Sequence, residues 1–263
     1  MDTIWINRAA LALMSAMASS TGALAAQQDE ISVYDDGINK PGEFTTEVHV
    51  NTTPNGVKTP GFPGEYLTNH GVRVSPEFAY GLTKEFEIGA YFPEAAVDKD
   101  GNWLFVGEKL RAKWLPIQPD ETAGGVFAGA NVELSRLDRH ILQSRSQAEL
   151  RFISGYRAPD WLFAFDPIFA WNLSDGLASA TPDFNYGVKV TRKVMEGLNL
   201  GAEYYSDIGF LDHVRSWNEQ DNRIYAVADI DMKPFVMNVG VGYGLTDAAD
   251  RWTIKTSFEI PMK

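Results

Sequence analysis

Hydrophobic and polar residues alternate along most of the chain with a period of two, as in strands that carry one apolar and one polar face. In VRVSPEFAYGLTKEFEIGAYFP, Val72, Val74, Phe78 and Tyr80 share a face opposite Arg73, Ser75 and Glu77. After the turn LTKE, Phe86, Ile88, Ala90 and Phe92 oppose Glu87, Gly89 and Tyr91. The alternation continues through WLFAFDPIFAWNL, FNYGVKVTR, FVMNVGVGY and WTIKTSFEI near the C-terminus. About twelve such runs are present, of roughly nine to eleven residues, the length a tilted strand needs to cross a bilayer. The pattern predicts an all-β fold over 43–263: a single antiparallel up-and-down transmembrane β-barrel of about twelve strands.

The connections support a membrane setting. Thr53–His70, Glu94–Trp103, Arg136–Gln147, Ser174–Asp183 and Asp207–Arg223 are long, whereas Leu82–Glu85, Arg157–Asp160, Met195–Gly197 and Lys233–Pro234 are short. Long loops at one rim and tight turns at the other mark an outer-membrane barrel. On the apolar face Tyr80, Phe86, Trp114, Trp161 and Phe235 fall beside the short turns, and Phe92, Trp171, Tyr204, Tyr243 and Trp252 beside the long loops. Two aromatic girdles with Val, Leu and Ala between them place that face against outer-membrane lipid and the polar face in the lumen. In FVGEKLRAKWL, Val106 joins the lipid face with Leu110, Ala112 and Trp114, and Glu108 is a misfit there, tolerable only near an end. Pro76 and Pro167 fall inside strands, where a closed barrel has no free edge, so each predicts a bulge.

The N-terminus reads as an export signal: Arg8, the apolar run Ala9–Ala18, then Ala23 and Ala25 at the small-residue positions before a cut. Residues 1–25 are read as a signal peptide and 26–42, polar and turn-rich, as a loose periplasmic leader. The net charge of −12 argues against a nucleic-acid partner, and the absence of cysteine excludes disulfides and thiolate chemistry.

The lumenal face carries the candidate chemistry. Its pore-lining candidates are Glu47, His49, Arg73, Glu77, Lys109, Arg111, Lys113, Glu149, Arg151, Asp166, Lys189 and Glu203, accompanied by Glu87, Glu133 and Lys255. Lys109, Arg111 and Lys113 align on one strand and make the lumen electrostatically two-sided. Buried charges must pair or meet water, so the set fits either a water-filled path or an ion-paired plug. No hydrolase, zinc-protease or P-loop motif is present. DKDGN (Asp98–Asn102) has its glycine at the wrong place for a calcium loop and reads as a turn. The glycines of GVGYG (Gly240–Gly244) make room inside the barrel. No catalytic residue, metal site or cofactor is expected, and the sequence sets no oligomeric state.

YDDGINKPGEFTTEVHVN, PEFAYGLTKEFEIGAYFP and GEKLRAKWLP resemble the leader, hairpin and following strand of outer-membrane barrels grouped with the MetA-pathway phenol-degradation proteins. The resemblance covers Tyr34–Leu134 and implies a transport barrel. Barrels of this kind usually end on an aromatic residue read by the barrel-assembly machinery; here Phe258 is followed by EIPMK. The expected function is therefore a small-solute channel or transporter. Two alternatives come from other classes: a lipid-modifying enzyme, which would need a Ser–His pair such as His49 with Ser75 or Ser257, or an adhesive barrel whose long loops bind partners.

Overall fold

A computed structural model describes residues 30–120 and 122–262; the expected signal peptide lies outside the described residues. Twelve long strands form the wall: β1 (Phe44–Asn55), β2 (Val72–Gly81), β3 (Phe86–Val97), β4 (Trp103–Ile117), β5 (Gly125–Leu137), β6 (Ser146–Arg157), β7 (Trp161–Asn172), β8 (Asp183–Met195), β9 (Leu198–Phe210), β11 (Asp221–Met232), β12 (Phe235–Gly244) and β13 (Trp252–Met262). The two-residue β10 (His213–Val214) pairs only with the end of β9. Each long strand is antiparallel to its neighbours, and β13 closes on β1, with Val48 opposite Phe258. Closure satisfies every edge, which is what a lipid environment demands of a sheet.

The faces follow the alternation. Phe78, Tyr80, Leu110, Trp114, Phe165, Phe235, Ile254 and Phe258 are exposed on the outside, whereas Arg73, Glu77, Lys109, Arg111, Asp166 and Glu203 are buried inside. A closed barrel with an apolar outer surface and charged interior is a transmembrane barrel.

Three local expectations need correction or refinement. Val106 does not face lipid. At Gly107 (φ +148°) β4 bulges against β3, so Val106 and Gly107 both turn inward. Val106 then packs with Ala96, Leu137, Ile141 and Leu142 beneath the long loops. Glu108 is exposed opposite Arg136, at the long-loop end of the outer face. The bulge expected at Pro76 lies across from it: Ser75 and Pro76 face Phe92, Pro93 and Glu94 of β3. At Pro167 there is no bulge. The β6–β7 pairing skips from Arg151–Ile168 to Ser154–Phe165 without losing register.

The largest departure concerns the leader. Residues 30–40 are not loose. They enter at the short-turn rim, where Gly42 N bonds Gly81 O, and run up through the barrel interior. Ile31, Val33 and Tyr34 are buried there against Leu115, Phe127, Ile153, Leu162, Ala164, Tyr205 and Tyr225 of the wall. Gly242 allows the Tyr225 ring its place, because a Cβ there would lie 2.3 Å from it.

This inner segment changes what inward substitutions cost. Phe165→Arg and Val188→Arg, a cross-strand pair on the lipid face, are each expected to cost about 2–4 kcal/mol near the bilayer midplane. Inward Ala164 and Gly187 offer no cheap contrast: Ala164 packs in the cluster that holds Val33, and a Cβ on Gly187 would lie 2.9 Å from Val33. Asn238→Arg, facing the open cavity described below, is the tolerated control. A refolding titration in which Asn238→Arg costs as much as Phe165→Arg would overturn the assignment of faces.

Candidate functional site

All twelve lumenal candidates project into the barrel interior, where they meet other inward side chains or the inner segment. On the β1–β4 side, Arg111 of β4 reaches across β3 to Glu77 of β2 and bonds Glu87 of β3 at 2.7 Å. His49 Nε2 stands 3.5 Å from Glu77 and 3.8 Å from Glu47. Lys109 lies 3.7 Å from Glu133, and Arg73 pairs Glu94 at 3.3 Å. Opposite them, Arg151 sits 3.3 Å from Glu149 and 3.9 Å from Asp166. Lys189 pairs Asp229 at 3.0 Å and Glu203 at 3.8 Å, and Lys255 bonds Glu203. The cationic row of β4 thus meets carboxylates of β2, β3 and β5.

The inner segment threads this charge lattice and is bonded by it. Asp166 accepts the Tyr34 backbone N–H at 2.6 Å, and Glu87 accepts that of Asn39 at 2.8 Å. Lys255, Arg151 and Lys113 donate to the carbonyls of Ile31 (2.9 Å), Ser32 (3.2 Å) and Gly37 (2.5 Å). The Arg157 Nε–H bonds Asp36 at 2.6 Å. Tyr34 is the central anchor. Arg151 and Lys113 lie 4.2 and 4.8 Å from its ring centroid, and its hydroxyl donates to Glu30 at 3.2 Å beside Tyr91. An extended chain in a low-dielectric tube must satisfy its backbone groups, and the wall's charged side chains supply the partners.

Glu30, Tyr34, Asp36 and Tyr91 were absent from the sequence-derived candidates. The signal in the sequence is the short apolar island ISVY within an acidic leader.

The remaining free space is unevenly placed. A cavity of about 640 Å³ opens at the short-turn rim, lined by Glu47, Arg111, Lys113, Lys189, Asp229 and Glu259 among others. Toward the long loops, a void of about 20 Å³ lies beside Ile31, Arg73 and Arg223, and a separate pocket of about 240 Å³ lies among Gln143, Ser144, Leu177 and Asp212 of the loops. There Arg223 holds Asp221 and lies 3.5 Å from Asp250, while Arg215 bridges Asp183 (3.4 Å) and Asp207 (3.0 Å). The loops above also close on themselves: Tyr66 N bonds His140 O at 2.6 Å. Outside the membrane span, Asp98 accepts bonds from the Asn102 side chain and from the backbone N–H groups of Asn102 and Asp100, which hold its carboxyl below the usual range. DKDGN is thus a self-capped turn.

No family model matches the chain, and no curated protein matches it by sequence. Solved structures do. The KdgM porin superposes with a TM-score of 0.55 at 7% identity, over 83% of this chain and 99% of its own. The COG4313 outer membrane channel from Pseudomonas putida F1 gives 0.57 at 13% identity, over 89% and 100%. The NanC porin gives 0.51 at 10%, over 83% and 99%. At these identities the likeness concerns the fold, and together with the lipid-facing belt it makes the chain a β-barrel of the bacterial outer-membrane type.

Proposed function

We propose that this barrel passes small solutes across the outer membrane through its charged interior, with the inner segment Glu30–Lys40 as the element that closes the path. The observation that carries the reading is the segment itself: eleven residues (30–40) inside a closed barrel, held at its backbone by at least five wall side chains. The segment packs Ile31, Val33 and Tyr34 against the wall, but its backbone is held by side-chain hydrogen bonds. Here most of the bonds come from charged groups that water could equally solvate, so the closed and open arrangements need not differ much in energy. The cavity at the short-turn rim, with carboxylates and ammonium groups on facing walls, suits small polar or charged solutes rather than bulky apolar ones. Membership of the MetA-pathway phenol-degradation group is the finer proposal, resting on the leader and hairpin motifs. The neighbouring folds are named as porins and a channel, which supports passage over chemistry.

The lipid-modifying alternative loses ground on geometry. Ser75 and Ser257 both stand opposite His49 in register. But Ser75 is sealed from solvent and its hydroxyl points at Glu94, 3.4 Å away, on the face turned from lipid. Single-channel recording in a planar bilayer tests the main reading. The expected result is a small conductance with frequent closures. A barrel that stays silent at every voltage, in both wild type and a variant lacking the inner segment, would sink it.

A further inference from the structure

Glu30, His49 and Glu77 meet where the inner segment passes β1 and β2. One potential ligand atom from each lies within 4.8 Å of the other two, and all three residues are buried. The His49 Nε2 is the informative atom. His49 is only 3% exposed, and Nε2 has no hydrogen-bond partner. It is aimed between carboxylates, 3.5 Å from Glu77 Oε2 and 3.8 Å from Glu47 Oε1. Those gaps are long for hydrogen bonds. Metal–nitrogen and metal–oxygen bonds of about 2.0–2.2 Å place neighbouring ligands of a tetrahedral ion roughly 3.3–3.5 Å apart, so the His49–Glu77 gap already has the span of an ion's edge.

The surroundings are those of a ligand set held from behind. Arg111 occupies Glu77 Oε1 and leaves Oε2 turned to His49. Tyr91 donates to Glu30 at 2.9 Å and Tyr34 at 3.2 Å. Outer partners of this kind fix the ligand orientations that a metal needs. The charge balance points the same way. Across β13, β1 and β2 the register puts Glu259 opposite Glu47 and Glu47 opposite Glu77. Like charges directly opposite are destabilising, and the nearby Arg111 is already shared with Glu87.

We propose that Glu30, His49 and Glu77 form a site for a divalent transition-metal ion of the zinc type, with Glu47 available as a fourth donor from the cavity side. Imidazole with carboxylates suits zinc, nickel or copper, whereas calcium and magnesium prefer all-oxygen sets. The site joins two parts of the molecule: Glu30 belongs to the inner segment, His49 and Glu77 to the wall. A bound ion therefore pins the segment in place. That consequence rests on reading the segment as the closing element; the site itself does not.

The test is a cobalt(II) titration of the full-length barrel in detergent micelles after chelator treatment, followed by visible absorption and competed with zinc(II). The expected result is one saturable ion per barrel, with the ligand-field band lost in His49→Ala and affinity about tenfold or more weaker in Glu30→Gln. Glu30→Gln leaves the wall's strands untouched, so it remains informative should His49→Ala fail to fold, and heat-modified gel migration reports folding of each. Absence of saturable cobalt or zinc binding in the wild type would overturn the site, as would unaltered binding in a folded His49→Ala barrel. The pinning role has its own readout: zinc should lower single-channel conductance in the wild type and not in Glu30→Gln. Intact binding with conductance unmoved by zinc would overturn the pinning and retain the site.

Discussion

Deleting Glu30–Ile38 is expected to turn a barrel of small, interrupted conductance into one of steady conductance several-fold larger. The wall does not depend on the segment for its hydrogen bonds, since every long strand is paired on both sides. Removing the segment takes away the backbone partners of Asp166, Lys113, Arg151 and Lys255, of which Arg151, Asp166 and Lys255 keep ion-pair partners in the wall. These groups then face water in the vacated tube rather than a dry core, so they are hydrated rather than orphaned. A milder form of the same change is Tyr34→Ala. It removes the buried ring between Arg151 and Lys113, and truncation of a buried aromatic costs about 3–5 kcal/mol. Even 3 kcal/mol of that, felt by the seated segment alone, raises the unseated population roughly a hundredfold. The measurement is single-channel recording on wild type, Tyr34→Ala and the deletion, with heat-modified migration confirming that each barrel folds. A folded deletion barrel whose conductance matches the wild type would mean that the segment does not lie in the conducting path.

How far this architecture could be read from the sequence depended on the range of the interaction. Strand faces are local: the alternation of Phe163, Phe165 and Phe169 against Ala164 and Asp166 specifies lipid and lumen without reference to anything distant. Loop parity and the girdles are likewise properties of single hairpins. Val106 escaped because a bulge at Gly107 is decided by how β3 and β4 pair, and alternation carries no trace of an added residue. The inner segment escaped for a similar reason. The apolar island Ile31–Tyr34 is too short to score as a strand within its acidic leader, and its partners lie at positions as distant as Asp166 and Lys255. The lumenal charges were legible as a set because period two collects them. Their pairing was not, since Arg111 chooses Glu77 across an intervening strand. The candidate metal cluster shows the same limit: its ligands stand at 30, 49 and 77, with no spacing that a motif could capture.

Reversing Arg111 to Glu is expected to be among the most damaging single changes in the wall. Arg111 is buried and bonds Glu77 and Glu87, and Glu77 in turn stands opposite Glu47, which stands opposite Glu259. Removing one partner of a buried ion pair costs about 3–5 kcal/mol, because the remaining charge stays desolvated, and a third carboxylate in its place adds repulsion. Taking both charges away should hurt less. In Arg111→Gln/Glu77→Gln the amides keep hydrogen-bonding capacity and leave only Glu87 to find a new donor, with the open cavity nearby to hydrate it. The expected order of stability in a refolding titration is therefore wild type, then the double glutamine variant, then Arg111→Glu. Lys109→Glu, whose partner Glu133 is 3.7 Å away, belongs with Arg111→Glu. If a charge-reversed barrel still folds in lipid, its reversal potential should move toward cations, because fixed charges in a narrow pore act across its whole width. An Arg111→Glu barrel as stable as the wild type, with unchanged selectivity, would show that the β4 row neither holds the interior together nor meets the passing ions.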